Sequence, residues 1–336
     1  MSTDESLLTP ETVVAHLVRR GILDGEGAVA TRLSGGVSNV VLAVSNGHQR
    51  LVVKQSLGRL DVAEQWLATR RRTVTEAAAL RLASTLTPAH VPEVVDLDTD
   101  ALVLVIPAAP ASWQVLKDDL VEGRIDLDVF TGLADVLCTW HNRTASPSEQ
   151  RDRCDDPEAF RQLRTDPFHR TVASRHPELA EPILLCVDEL ESSRMCLVHG
   201  DFSPKNVLVG PDGFWVIDFE VAHIGAPVFD VAFLLTHLLL KAVFRPAHRA
   251  EYEAAGQLFW QRYEQGIAAS LRCSTSSLVA HLGCLLLARV DGRSPASYLL
   301  AEDRRQVRRL GGSLLQRPAL DLDDVFGRLA EVTHGG

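Results

Sequence analysis

Residues 196–230 read CLVHGDFSPKNVLVGPDGFWVIDFEVAHIGAPVFD, and this stretch decides the fold. An apolar approach, Leu197-Val198, turns polar at His199-Gly200-Asp201, and Asn206 follows five residues after Asp201. Two β-rich runs, 207–209 and 214–217, flank Gly210-Pro211-Asp212-Gly213 and predict a hairpin. Asp218 stands where the second strand leaves it. The hairpin folds Asp218 back toward Asp201 and Asn206, so three oxygen-bearing side chains are expected at one point.

Such a set suits phosphoryl transfer. A carboxylate must orient an attacking hydroxyl and accept its proton, and oxygen ligands must hold Mg²⁺ on the phosphates of a nucleotide. Asp201 fits the first role; Asn206 and Asp218 fit the second. The bland alternative is a surface loop whose Asp and Asn merely cap turns. The hairpin and the placement of Asp218 weigh against it.

Working outward, LSGGVSN at 33–39 precedes a β-rich run at 40–44, Asn46-Gly47 signals a tight turn, and a second strand, 51–54, ends in Lys54. The turn at Ser34, Gly35, Gly36, Ser38 and Asn39 would cover phosphates with its backbone amides, and Lys54 would reach the α- and β-phosphates. The full G-x-G-x-x-G is absent. Residues 74–84, VTEAAALRLAS, predict a helix with Glu76 in its first turn, placed to pair with Lys54 or simply to favour a helix N-terminus. Strands at 92–97 and 101–106 run into Pro107 and Pro110, a natural hinge. There the Ile106 carbonyl and the Ala108 N–H are the groups available to a nucleotide base, since Pro107 cannot donate. Trp113 is read as packing. From 127 onward helices are expected at 127–141, 184–191, 231–240, 250–269, 277–290 and 304–315, with 143–180 irregular or short-helical.

Composition bounds the answer. The 336 residues suit one two-lobed unit or two domains, and 46% hydrophobic content supports a sizeable core. A net charge of −10 disfavours a general nucleic-acid or anionic-membrane binder. The six scattered cysteines lack C-x-x-C spacing, so structural zinc is not expected and reduced thiols are. No signal peptide is apparent at the start, and the most apolar stretch, 231–244, carries His237 and Lys241 and is too short for a span. The chain reads as cytoplasmic.

With these residues in place, the chain resembles the aminoglycoside phosphotransferase / choline kinase / methylthioribose kinase superfamily, which is similar in fold to protein kinases. The likeness covers most of the chain. It is strongest at HGDFSPKNVLV (199–209), VIDFEVAHIGAPVFDVA (216–232), the SGG turn with LVVK, and the helix around Glu76. It implies an α+β, two-lobed protein-kinase-like fold. A small N-lobe with an antiparallel sheet (1–108) would bind the nucleotide, and a large, mainly helical C-lobe (109–336) would carry the catalytic loop and the acceptor site. It also implies transfer of the γ-phosphoryl of ATP or GTP, with Mg²⁺, to a hydroxyl of a small molecule. By resemblance Asp201 is the catalytic base, Asn206 and Asp218 hold the metal, Lys54 orients phosphates and Glu76 pairs with it. Asp230 matches a buried Asp that holds the catalytic-loop backbone. Its position beside an apolar run also demands hydrogen bonds. His199 is read as orienting the loop.

Two departures from protein kinases stand out. Ser203 takes the place of a phosphate-contacting Lys, with Lys205 two positions later, and Asp218-Phe219-Glu220 replaces Asp-Phe-Gly. The acceptor stays open at this level. An antibiotic inactivated by O-phosphorylation, a metabolic sugar, amino alcohol or nucleoside, and a nucleotide-binding module without turnover are the competing readings. Asp291, Glu302 and Asp303 would suit a cationic acceptor, Arg289 and Arg293 an anionic one.

Overall fold

The computed structural model describes residues 7–33, 38–60, 66–317 and 319–334, the last two as backbone only. The N-terminal portion begins with α1 (Pro10–Arg19), which buries Val13 and Leu17 against the sheet that follows. That sheet is built from β1 (Val29–Arg32), β2 (Asn39–Ser45), β3 (Arg50–Ser56), β4 (Asp96–Asp98) and β5 (Val103–Pro107), in the antiparallel order β1-β2-β3-β5-β4. The Asn46-Gly47 turn sets the β2–β3 register, pairing Ser45 with Arg50 and Val41 with Lys54. Between β3 and β4 lies α2 (Arg72–Leu86), longer at its start than the sequence suggested. Glu76 therefore sits more than a turn inside the helix, where an N-terminal charge effect no longer explains it.

After β5 the chain is mainly helical. It passes through β6 (Gln114–Val115), α3 (Leu116–Glu122) and α4 (Leu127–Arg143). The segment expected to be irregular holds α5 (Glu149–Asp152), α6 (Pro157–Phe160), a π-helical stretch Arg161–Arg170 and α7 (Thr171–Arg175). Then come α8 (Ala180–Ser192), β7 (Cys196–Val198), β8 (Val207–Gly210), β9 (Gly213–Val216) and β10 (His223–Gly225). The hairpin forms as read, with Val207 opposite Val216, and β6 adds a third strand to it. Trp113 packs edge-on to Trp215 of this sheet, ring centroids 5.5 Å apart.

Five helices complete the wall: α9 (Val228–Phe244), α10 (Arg249–Gly266), α11 (Thr275–Asp291), α12 (Ala301–Gln316) and α13 (Leu322–His334). The last was not anticipated. Helix α9 is buried on every side because it is the centre of the lobe, with α10, α11, α12 and α13 around it. No described helix is long and apolar enough to cross a membrane.

Helices α11 and α12 cross at two facing glycines. A Cβ on Gly283 would lie 3.0 Å from the Gly311 carbonyl oxygen, and a Cβ on Gly311 would lie 3.0 Å from that of Gly283. Close backbone approach explains both residues. Gly283→Val should therefore destabilise the fold by about 1–3 kcal/mol through overpacking, seen as a lower urea midpoint; an unchanged midpoint would remove the crossing from this account.

Candidate functional site

The loop after β7 is held by one buried carboxylate. Asp230 lies in the first turn of α9, which starts at Val228 rather than after Asp230 as the sequence suggested. Its Oδ2 accepts the His199 N–H at 2.7 Å and its Oδ1 the Gly200 N–H at 2.9 Å. Gly200 has φ +76°, and a Cβ there would sit 2.6 Å from the Val221 carbonyl oxygen, so only glycine fits. His199 Nδ1 accepts the Asp201 N–H at 3.1 Å, which leaves Nε2 to donate to the Ile217 carbonyl at 3.1 Å. That pattern requires the neutral ring. Burial lowers the His199 pKa, against the pull of Asp230 and Asp201. The imidazole thus ties the loop to the end of the hairpin.

Asp201 emerges from this loop with its carboxylate surrounded by donors. Asn206 Nδ2 donates to it at 2.8 Å and to the Asp201 carbonyl at 3.0 Å. Lys205 Nζ lies 2.8 Å away and an Arg164 Nη 3.0 Å away. Burial opposes ionisation of Asp201, but Arg164 and then Lys205 outweigh it and hold the pKa below the ordinary carboxylate value. The group is a charged acceptor at neutral pH. Arg164 was not foreseen. It reaches in from the π-helical stretch, donates through Nε to the Gly200 carbonyl at 2.7 Å, and rests over the Phe168 and Phe233 rings. No local pattern in RQLRTDPF marks it.

Across the cleft, Lys54 on β3 is clasped between Glu76 and Asp218, the latter at 2.5 Å. Burial works against the ammonium, yet Asp218 and Glu76 prevail and raise its pKa above that of a free lysine. Asp218 is likewise opposed by burial and lowered by Lys54 and Lys205. Burial pushes Glu76 up, to about 7, with Lys54 pulling the other way. Asp218 holds φ +73°, a left-handed conformation that a non-glycine residue adopts at a cost of about 1–3 kcal/mol. The turn it makes brings the carboxylate from the hairpin to Lys54.

Glu220, the departure from glycine two residues on, has a definite task. It accepts from the Ser38 hydroxyl at 2.7 Å, from Asn39 Nδ2 at 2.9 Å and from Arg72 Nε at 3.1 Å. Arg72 is fully buried and also donates to the carbonyls of Ser38 and Leu57. The Ser38 and Asn39 side chains are thus spent on Glu220, and Asn39 Oδ1 on Ser56. Ser34, Gly35 and Gly36 lie outside the described residues. At the hinge the structure departs from the sequence reading. The Ala108 N–H donates to the Arg50 carbonyl at 2.9 Å, extending the sheet pairing, whereas Ala109 lines the cleft and its N–H donates to no described residue. Ile106 also lines the cleft, opposite Val52 in the β3–β5 ladder.

The cleft itself holds about 430 Å³. Val41, Val52, Ile106, Leu208 and Ile217 supply apolar walls; Lys54, Lys117, Lys205, Asn206 and Asp218 supply the polar ones. The residues fit Mg²⁺ with a nucleotide. Asn206 turns its nitrogen to Asp201, so its carbonyl oxygen is the end left over, and Asp218 commits Oδ1 alone to Lys54. One carboxylate and one amide oxygen, with phosphates completing the shell, is how proteins commonly hold this ion. A larger cavity of about 1000 Å³ lies against α2 and α5 and α6, but none of Lys54, Asp201, Asn206 or Asp218 lines it. Its size does not bring it nearer the chemistry.

Glu220→Ala should cost about 3–5 kcal/mol, because Arg72 would remain buried without its counter-charge. Thermal unfolding of the variant beside Arg72→Met/Glu220→Leu checks this. The double variant should recover much of the loss, and a single variant as stable as the parent would contradict the assignment.

The profile of the phosphotransferase enzyme family matches residues 29–269 of the chain. A methylthioribose kinase of Bacillus cereus (strain AH820) is 27% identical over 286 residues, covering 75% of this chain and 70% of that protein. Among solved structures, a choline/ethanolamine kinase family protein from Mesorhizobium loti superposes with a TM-score of 0.54 at 15% identity, over 97% of this chain and 99% of that one. The aminoglycoside phosphotransferase APH(4)-Ia gives a TM-score of 0.50 at 16% identity, over 98% and 99%. At these identities the structural likeness shows the fold alone. Together with the family match, it makes the chain a member of the phosphotransferase enzyme family, a small-molecule phosphotransferase of α+β, protein-kinase-like fold.

Proposed function

We propose that the chain is an ATP- and Mg²⁺-dependent cytoplasmic kinase that moves the γ-phosphoryl group to a hydroxyl of a small metabolite. The observation that carries this reading is the meeting of Asp201, Asn206, Asp218 and Lys54 at one cleft. Lys54 releases Asp218 to take up phosphate oxygens, and Asn206 and Asp218 hold the metal. Bound Mg²⁺ would offset the charge on the phosphates. Asp201, kept ionised by Arg164 and Lys205, orients the acceptor hydroxyl and takes its proton. Lys205, half exposed, is free to swing from Asp201 to the phosphoryl group and supply the charge that protein kinases draw from another position. Apolar cleft walls and the Ala109 N–H receive the adenine ring.

A metabolic acceptor is favoured over an antibiotic because methylthioribose kinases are among the relatives matched by sequence. The resemblance to an antibiotic-modifying enzyme is one of fold. ATP is taken as the donor, the co-substrate that kinase relatives imply. A protein acceptor is disfavoured: only the short run FEVAHIGAPVF separates Asp218 from Asp230, and buried β10 and α9 leave it no room for a peptide platform.

Asp201→Asn should lower kcat by roughly 10²–10⁴-fold while Mg·ATP affinity stays near that of the parent. Steady-state kinetics with calorimetry decides it, and near-parental turnover would sink the assignment of Asp201. Asp218→Ala should abolish Mg²⁺-dependent ATP binding, since Asp218 is the carboxylate that would hold the metal. Retained affinity would move the metal elsewhere.

A further inference from the structure

The helical wall formed by α9 and α11 carries two cations without partners of opposite charge among the described residues. Lys241, near the end of α9, is fully buried; its Nζ reaches only the His237 carbonyl, at 3.4 Å, and lies 5.7 Å from the Tyr298 ring centre. Arg289, in the last turn of α11, spends one Nη on Ser294, and its Nε is buried without a hydrogen-bond partner. The Tyr298 hydroxyl is orphaned in the same way. Neither cation forms an ion pair with a described residue.

A run of contacts connects Lys241 to the reacting centre: Arg164, 3.0 Å from Asp201, rests over the Phe233 ring, whose centre lies 5.3 Å from that of His237, and the His237 carbonyl accepts from Lys241. Lys117 and Lys205, which line the nucleotide cleft, act electrostatically on His237, one turn before Lys241, and Lys117 acts on Lys241 too. Asp201 acts on Arg289. Asp201 cannot neutralise the cluster, since Arg164, Lys205 and Asn206 already occupy its carboxylate. The energetic anomaly is plain: burial lowers the Lys241 pKa to about 7, with Arg289 and Lys117 adding to the effect.

The carboxylates that might have received a cationic acceptor are committed elsewhere. Asp291 is held by Arg308 and by His176 at 2.9 Å, Glu302 by Arg305, and Asp303 accepts the Leu300 N–H at the start of α12. Arg293 is exposed and lines a separate surface depression. Of the charged residues first considered for the acceptor, Arg289 alone remains, and it is joined by Lys241.

The geometry points to an anion subsite for the acceptor: Lys241, Arg289 and the Tyr298 hydroxyl receive a carboxylate or phosphate that the acceptor carries in addition to its reacting hydroxyl. This rests on the phosphotransfer reading above and specifies the substrate class. The anion supplies the missing counter-charge in a low-dielectric site, where charge-assisted hydrogen bonds are strongest. The same cluster repels choline-like and aminoglycoside-like cations. In the reaction the hydroxyl oxygen bonds to the γ-phosphorus of ATP, the bond from that phosphorus to the bridging oxygen breaks to release ADP, and the proton passes to Asp201. The anionic group is unchanged.

The test offers γ-labelled ATP with hydroxylated acceptors of three kinds: anionic (hydroxy acids and, separately, sugar monophosphates), neutral (methylthioribose) and cationic (choline, hygromycin B). Label is expected in an anionic acceptor, the two anionic arms separating carboxylate from phosphate. Lys241→Met and Arg289→Met should each lower kcat/KM for that acceptor by roughly 10²-fold, Lys241→Arg should restore part of it, and Mg·ATP affinity should hold in all three. Labelling confined to neutral or cationic acceptors, or anionic turnover indifferent to both Met variants, overturns the subsite. A separate readout keeps this distinct from failure of the kinase reading: hydroxy acids or sugar phosphates should raise the thermal midpoint of the Mg·ATP-loaded protein, and should do so less in Lys241→Met. If no acceptor turns over, that Lys241-dependent shift supports the subsite and its absence overturns it.

Discussion

Asp230 is the constraint on which the site depends. Its carboxylate is completely buried and takes two successive backbone N–H groups from the loop that carries Asp201. A buried carboxylate without such donors would cost several kcal/mol, so loop and helix α9 fix each other. Gly200 can then turn left-handed beneath Val221, and His199 can bridge to Ile217. Because Ile217 immediately precedes Asp218, the hydrogen bond that orients the Asp201 loop also places the hairpin exit. One carboxylate thereby positions the two others.

Charge balance explains much of the remaining design. Lys54 sits between two carboxylates and Asp201 among three donors, so the unliganded cleft is internally compensated. Such an arrangement keeps buried charges paired until a triphosphate and its metal exchange partners with them. Glu220 extends the same logic to the strand entering the sheet. By joining Ser38 and Asn39 to Arg72, it ties β2 and α2 to the segment after Asp218. A glycine there, as in protein kinases, could make none of these bonds. Lys241 and Arg289 stand outside this balance, with no ion pair among the described residues, and that is the reason for assigning them to a ligand.

Where the chemistry is local in sequence, it was legible. The HGDFSPKN string, the Gly210–Gly213 turn and Asp218 follow one another closely, and the hairpin they predict forms with the expected pairing. Lys54 and Glu76 were also readable, since a strand end and an Ala-rich helix each announce themselves. Arg164 was not, because its role is set by a π-helical stretch folding onto Gly200 from far along the chain. Ala108 was misassigned for a related reason: Arg50 claims its N–H, and sheet register beyond a proline has no local signal. Ser38 and Asn39 were read for their backbone amides, and only the tertiary position of Glu220 reveals where their side chains go. Helix α13 escaped because its apolar face becomes meaningful only against α9, α10 and α12.

The central claim is that Asp201, Asn206, Asp218 and Lys54 form one phosphotransfer centre. A crystal structure of the protein with Mg²⁺, a non-hydrolysable ATP analogue and a hydroxylated acceptor tests it most directly. The account requires Mg²⁺ on the oxygens of Asn206 and Asp218, Lys54 turned from Asp218 to the phosphates, and the acceptor hydroxyl within hydrogen-bond reach of Asp201. A nucleotide bound in the larger cavity behind α2, or an acceptor whose hydroxyl lies away from Asp201, would contradict it.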